Sequence, residues 1–307
     1  MRILPITLLA SLLITSAACG GGQSSPQANG PLTGNWQLNL VQNYPAPQTQ
    51  LAASGFLVES SDGLTGSVVG PTIASANGTH DCGGVGPVTG TISEQNVTFS
   101  LSPGGTVFNF TGTISSDNAS MAGSYQATGG ACFVQAGTTG TWTASLIPPL
   151  NGSFTGQISG SSYMALLTGV NPPPPIAVSG SITQTTNEGG GSATLTGTII
   201  AVGYPCFSNG SLTGTISGQN VYLDIYDYNG AFIGTLGQPS GSAGTPGSPA
   251  TVVVSPSGIS LVDTSDVGLF LGTFTGVGVV GPCPPIFNAV LGATQTNDSG
   301  SVALNLQ

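Results

Sequence analysis

Along most of this chain apolar and polar residues alternate with a period of two, which sends successive side chains to opposite faces of a β-strand. In Val97-Thr-Phe-Ser-Leu-Ser102 the apolar face is Val97, Phe99 and Leu101, and the polar face is Thr98, Ser100 and Ser102. Val221-Tyr-Leu-Asp-Ile-Tyr226 repeats the pattern. In the first half, alternating runs bounded by turn residues predict strands near residues 34–42, 53–60, 63–70, 87–93, 96–102, 106–115, 119–127 and 138–146. Ser61-Asp62-Gly63 and Glu94-Gln95 mark tight hairpins. Beyond the N-terminal segment no stretch carries helical periodicity. Thr-Gly recurs inside strands (Thr89-Gly90, Thr111-Gly112, Thr213-Gly214, Thr275-Gly276), where glycine suits the sharp coiling of a closed barrel. The prediction is an all-β protein of hairpin-linked antiparallel strands.

The pattern occurs twice. Cys82-Gly-Gly-Val-Gly-Pro-Val-Thr-Gly-Thr-Ile-Ser-Glu-Gln-Asn-Val-Thr-Phe99 matches Cys206-Phe-Ser-Asn-Gly-Ser-Leu-Thr-Gly-Thr-Ile-Ser-Gly-Gln-Asn-Val-Tyr-Leu223 without a gap. Upstream, Ser54-Gly55 and Leu64-Thr65-Gly66 have counterparts in Ser179-Gly180 and Leu195-Thr196-Gly197. Downstream, Gly123-Ser-Tyr125 parallels Gly272-Thr-Phe274. Each half opens on Gly-x-aromatic, as Gly34-Asn35-Trp36 and Gly152-Ser153-Phe154. The reading is two related β domains, 31–148 and 149–307, meeting near Ile147-Pro-Pro-Leu150. Gly237 to Pro249 is a Gly/Ser/Pro insertion in the second, and Asn171 to Pro175 a short polyproline stretch. Two tandem barrels, or alternatively two β-sandwiches, satisfy the pattern.

Residues 1–18 carry Arg2, an apolar run from Ile3 to Ile14 and small residues ahead of Cys19. That run is too short to span a bilayer. The segment resembles a bacterial lipoprotein signal peptide, departing from the pattern at Ser16, where leucine is usual. Ser16-Ala17-Ala18 also suits an ordinary signal peptidase. The resemblance implies export, acylation of Cys19 with palmitate-type chains, and membrane attachment through that lipid. Gly20 follows the cysteine instead of Asp, which by the same resemblance implies the outer membrane or cell surface. Residues 19–30 read as a flexible glycine-rich tether.

An exported chain with five cysteines leaves one over once pairs form, and an acylated Cys19 is that one. Cys82, Cys132, Cys206 and Cys283 then make two disulfides, with three pairings open. The repeat favours Cys82–Cys132 and Cys206–Cys283, each worth about 4 kcal/mol in the chain-entropy model. No C-x-x-C spacing supports zinc or redox chemistry.

Charge narrows the function further. Arg2 is the single Lys or Arg in 307 residues, against eleven carboxylates and one histidine. Without cations to neutralise phosphate, nucleic acid and nucleotides are excluded as partners, as is attraction to anionic headgroups.

Few residues offer chemistry. His80 stands beside Asp81 in Asn77-Gly-Thr-His-Asp-Cys82, read as a loop, where a base oriented by Asp81 competes with a plain surface histidine. No Gly-x-Ser-x-Gly elbow occurs. Tyr222, Asp224 and Tyr226 are expected to project together from the outer face of their strand, a possible ligand surface for glycans or an ordinary exposed sheet. Asp263 and Asp266 with Asp224 or Asp227 lack the spacing of a calcium loop. The expectation is no metal, no cofactor and no catalytic residue.

Gly34-Asn35-Trp36 on the opening strand, with Trp142 on the last strand of the first half, resembles the opening and closure of calycin barrels such as lipocalins and avidins. That resemblance implies an eight-stranded up-and-down barrel and a small apolar ligand as the alternative partner. The second half departs from it, with Phe154 in place of tryptophan. The leading expectation is a non-catalytic cell-envelope lipoprotein, a structural or binding module. A carrier of a small apolar ligand and a glycan-binding surface protein are the alternatives.

Overall fold

The structure is a computed structural model that describes residues 30–44, 50–61, 63–70, 72–75, 78–81, 85–128, 137–159, 175–185, 191–202, 208–230, 232–236, 250–255, 258–268, 274–275, 278–279 and 299–306. The signal segment, Cys19 and nearly all of the tether, all four remaining cysteines and the 237–249 insertion lie outside them.

The first half comprises β1 (Gly34–Tyr44), β2 (Gln50–Ser60), β3 (Gly63–Val69), β4 (Thr72–Ser75), β5 (Gly78–Asp81), β6 (Val85–Ser93), β7 (Asn96–Leu101), β8 (Phe108–Ile114), β9 (Ser120–Ala127) and β10 (Thr139–Ile147). A 3₁₀ turn at Pro103–Gly105 links β7 to β8. Eight strands close into an antiparallel barrel, β1-β2-β3-β6-β7-β8-β9-β10, with β10 returning to β1. They are the eight segments that alternation predicts. Strands β4 and β5 form a separate hairpin where the sequence suggests a loop, because four-residue strands are too short for a period of two to register.

Strand residues directly opposite one another share a face, and inside this barrel large rings stand opposite glycines. Trp36 faces Gly55, Phe99 faces Gly90, Trp142 faces Gly123 and Tyr125 faces Gly140. A Cβ on Gly140 would run into the Tyr125 ring and the Val41 carbonyl, and one on Gly112 would meet the Trp142 ring. The rings pack on each other: Phe99 and Phe110 stack at 4.5 Å, and Trp142 meets them edge-on at 5.3 and 5.5 Å. The Trp142 indole N–H is shared between the carbonyls of Thr111 and Ser124, at 3.2 and 3.1 Å. The Trp36 indole donates to the Leu32 carbonyl at 2.8 Å, which holds the buried Leu32 against the core. Both buried indole N–H groups thus have acceptors, as burial requires.

The second half comprises β11 (Gly152–Ser159), β12 (Ile176–Thr185), β13 (Ala193–Val202), β14 (Asn209–Ser217), β15 (Asn220–Asp227), β16 (Phe232–Leu236), β17 (Ala250–Ser255), β18 (Gly258–Gly268), β19 (Phe274–Thr275), β20 (Gly278–Val279) and β21 (Ser299–Leu306). Strands β11 to β15 pair in sequence order. From β11 the pairing passes to β21, β18 and β17 and returns to β15, so these eight strands complete a ring, with β16 branching from β15. The repeat is visible in the registers. Trp36 opposite Gly55 becomes Phe154 opposite Gly180, Gly66 opposite Val88 becomes Gly197 opposite Leu212, and Gly90 opposite Phe99 becomes Gly214 opposite Leu223. The downstream correspondence does not carry over. Tyr125 lies in a barrel strand, whereas Phe274 pairs with Val279 in the isolated β19–β20 ladder.

Among the described residues, a hairpin turn of the second half docks on the first, with Gly191 beside it against Val69 and Ser67. Ser217-Gly218-Gln219, between β14 and β15, sits on the outer face of β1 and β2. Asn35 holds Gly218 from both sides: its Nδ2 donates to the Gly218 carbonyl at 2.8 Å and its Oδ1 accepts from the Gly218 N–H at 2.7 Å. Gln37 Oε1 accepts from the Gln219 N–H at 3.1 Å, and the Ser54 and Ser217 hydroxyls meet at 2.8 Å. Gly218 has φ +57°, and a Cβ there would strike Gln37 and Ser54. Asn35, Gln37, Ser54 and Ser67 are consequently buried on what would otherwise be a solvent face.

Candidate functional site

The strand β15 alternates as the sequence suggests. Val221, Leu223 and Ile225 are fully buried in the second core, which leaves Tyr222, Asp224 and Tyr226 together on the outer face. Their neighbours on β14 are Thr215, Thr213 and Ser211, with the exposed Thr194, Thr196 and Thr198 beyond on β13. The Tyr222 phenol is partly sunk into this sheet, and that loss of solvent raises its pKa above the usual tyrosine value. The patch combines two phenol faces, one carboxylate and a field of hydroxyls.

The acidic residues do not converge. Asp227 falls on the opposite face of β15 from Asp224, is buried at the strand end, and accepts from the Asn229 backbone N–H at 2.8 Å and its side-chain amide at 3.4 Å. This is an Asx-type turn, and it leads the chain out of β15. The side chains of Asp263 and Asp266 lie outside the described residues, although their backbone belongs to β18. Among the described residues no three His, Cys, Asp or Glu side chains gather as a metal would need. His80 and Asp81 lie on β5, opposite Ile73 and Thr72, with side chains outside the described residues.

A second polar surface lies on the first domain and includes Thr98 and Ser100 of the polar face that alternation predicts. Outward residues of β6 to β10 form hydroxyl ladders, with Thr91 and Thr98 at 2.9 Å, Thr89 and Ser100 at 3.2 Å, and Thr111 and Ser124 at 3.2 Å. Between β8, β9 and β10 the sheet is hollowed into a depression of about 530 Å³ bordered by Asn109, Thr111, Ser124, Gln126, Thr139 and Thr141. It adjoins a shallower one of about 600 Å³ that shares Thr111, Ser124 and Thr141. The signal for it was the run of Thr, Ser, Asn and Gln at outward positions. That run is so uniform along the chain that no segment stood out.

Both surfaces present hydrogen-bonding side chains on the outer face of the sheet. Neither contains a cation, and the acidic patch on β15 has its single carboxylate flanked by hydroxyls instead of by a second acid or a base. Comparison of the chain with protein-family models, with curated proteins and with solved structures finds no match.

Proposed function

We propose that this chain is a non-catalytic lipoprotein of the cell envelope, exported and held at a membrane by lipid on Cys19, that binds neutral hydroxyl-rich partners such as glycans. The observation that carries the reading is the outward row Tyr222, Asp224 and Tyr226 beside Thr213 and Thr215. Tyrosine rings stack on sugar faces while carboxylate and hydroxyls accept and donate at the sugar edges. The stacked Phe99, Phe110 and Trp142 rings inside the first barrel favour this outer-surface reading over an apolar ligand carried within. Two disulfides among Cys82, Cys132, Cys206 and Cys283 would brace the domains for an exported life.

The test is retention of the mature chain on insoluble cellulose, chitin and bacterial cell-wall sacculi. Retention on at least one is expected, with a tenfold or greater loss in Tyr222→Ala/Tyr226→Ala and none in Val85→Ala, an exposed position of the other domain outside both polar surfaces. Absence of retention on all three, or equal retention by the tyrosine variant, would refute the binding surface. In a bacterial host fed a clickable fatty acid, the chain should take up label and Cys19→Ser should not.

A further inference from the structure

The outward row on β15 does not stop where the strand does. Alternation carries it one position further, to Tyr228, on the side away from the buried Asp227. Tyr222, Asp224 and Tyr226 are half-buried among their sheet neighbours, whereas Tyr228 is 78% exposed. A hydrogen-bonded turn fixes its backbone. Asp227 accepts from the Asn229 N–H at 2.8 Å, and the Gly230 N–H donates to the Asp227 carbonyl at 3.0 Å. Tyr228 is the corner of that turn, so its ring stands at a set place at the end of the row.

The duplication supplies an internal control. The inward positions are apolar in both halves, Val97, Phe99 and Leu101 in β7 against Val221, Leu223 and Ile225 in β15. The outward positions differ throughout, with Thr98, Ser100 and Ser102 in the first half where the second has Tyr222, Asp224 and Tyr226. The strand is longer as well, eight residues in β15 against six in β7. Three of the seven tyrosines in the chain stand in this one row, so the enrichment belongs to the row and not to the composition. An ordinary exposed strand of this fold needs only hydroxyls, as β7 demonstrates.

The row is long and narrow. At about 3.3 Å per residue, Tyr222 and Tyr226 stand roughly 13 Å apart, and the line to Tyr228 runs roughly 20 Å. A single sugar ring cannot bridge the first distance. Across the strand the border on β14 is the short exposed hydroxyls of Ser211, Thr213 and Thr215. Such a line suits a sugar chain laid lengthwise, its faces on the phenols and its edge hydroxyls donating to the Asp224 carboxylate midway. An acidic polymer would find no cation here, because Arg2 is the single Lys or Arg. Resting on the glycan reading above, we propose that the ligand is a neutral polysaccharide bound along β15 several sugars at a time, with Tyr228 as the third ring of the row.

Competition tests this. The mature chain carrying Cys19→Ser is held on whichever of cellulose, chitin or sacculi retains it, then displaced by soluble fragments of that polymer two and six sugars long. The longer fragment is expected to act at about a tenfold lower concentration, since each further stacked ring adds roughly three- to tenfold in affinity. Tyr228→Ala, at an exposed position, should cut that advantage about threefold and leave the circular dichroism spectrum unchanged. Raising the salt should alter neither result. Equal displacement by both fragments, or a length advantage that Tyr228→Ala keeps in full, would overturn the proposal; loss of retention in Tyr222→Ala/Tyr226→Ala would then still uphold the glycan reading. Release by salt alone would overturn it too, because the net charge of −10 would be holding a cationic partner. Retention on none of the three polymers would remove the glycan reading and this inference with it.

Discussion

Tyr125 lies 6.1 Å from Phe108 and 5.9 Å from Phe110 by ring centroids, and its buried hydroxyl has no hydrogen-bond partner among the described residues. A polar group left this way costs free energy, so deleting it should help. Tyr125→Phe is expected to raise the stability of the first barrel by about 1 kcal/mol in denaturant titrations; a loss of that size would mean the hydroxyl has an acceptor. Burial also raises the phenol's pKa. The folded state then holds its proton more tightly than the unfolded chain. The stability this contributes is full below the unfolded value of about 10 and fades as pH climbs through the folded one. Tyr125→Phe should accordingly flatten the alkaline limb of the stability curve. Asp117 has the opposite sign. The Ser115 hydroxyl and the Ala119 N–H hold its carboxylate below the usual range, so its small contribution is present at neutral pH and lost on acidification.

At the scale of elements, the two β-hairpin turns that correspond in the repeat have diverged for a reason outside themselves. Glu94 accepts a left-handed backbone that most side chains avoid, and it does so freely because its turn projects into solvent. Gly218 has the same backbone but is pressed between Asn35, Gln37 and Ser54. Replacing Gly218 by the residue its counterpart carries, Gly218→Glu, should therefore break the joint and leave both halves folded. Asn35→Ala should act similarly, stranding a buried N–H and carbonyl at a cost of about 1–3 kcal/mol. The check is a larger radius of gyration in small-angle scattering, together with separate unfolding transitions for the two halves. A single transition and an unchanged radius would show that the joint does not depend on this turn.

The whole molecule is held almost without ion pairs, since its single Lys or Arg lies at position 2. Burial of two apolar cores and the backbone ladders of two strand rings supply the cohesion, with disulfides added if Cys82, Cys132, Cys206 and Cys283 pair. Acid should therefore do little. Protonating the carboxylates removes the net charge of −10 and puts almost no positive charge in its place, so the self-repulsion that opens most proteins near pH 2 does not develop. The β signal in circular dichroism is expected to persist from pH 7 to pH 2. A cooperative loss between pH 4 and 2 would mean that specific carboxylate bonds, of the kind Asp227 makes with Asn229, hold more than local turns.

Alternation and turn residues by themselves determined the all-β class, the eight strands of the first barrel, and which side of β15 carries Tyr222, Asp224 and Tyr226. A period of two is a local property, and it survives whatever the strands later pair with. Internal repetition was likewise legible, and the registers of β11 to β15 repeat those of the first half at the matched glycines and large residues. What lay beyond the sequence was decided by contacts between residues far apart. That Asn35 and Gln37 are buried follows from a turn more than 180 positions away. Phe274 lies outside the strand ring of its half, whereas Tyr125 joins that of the first, although the motif around each is alike, because strand partners are chosen by the closing of the whole sheet and not by the segment alone.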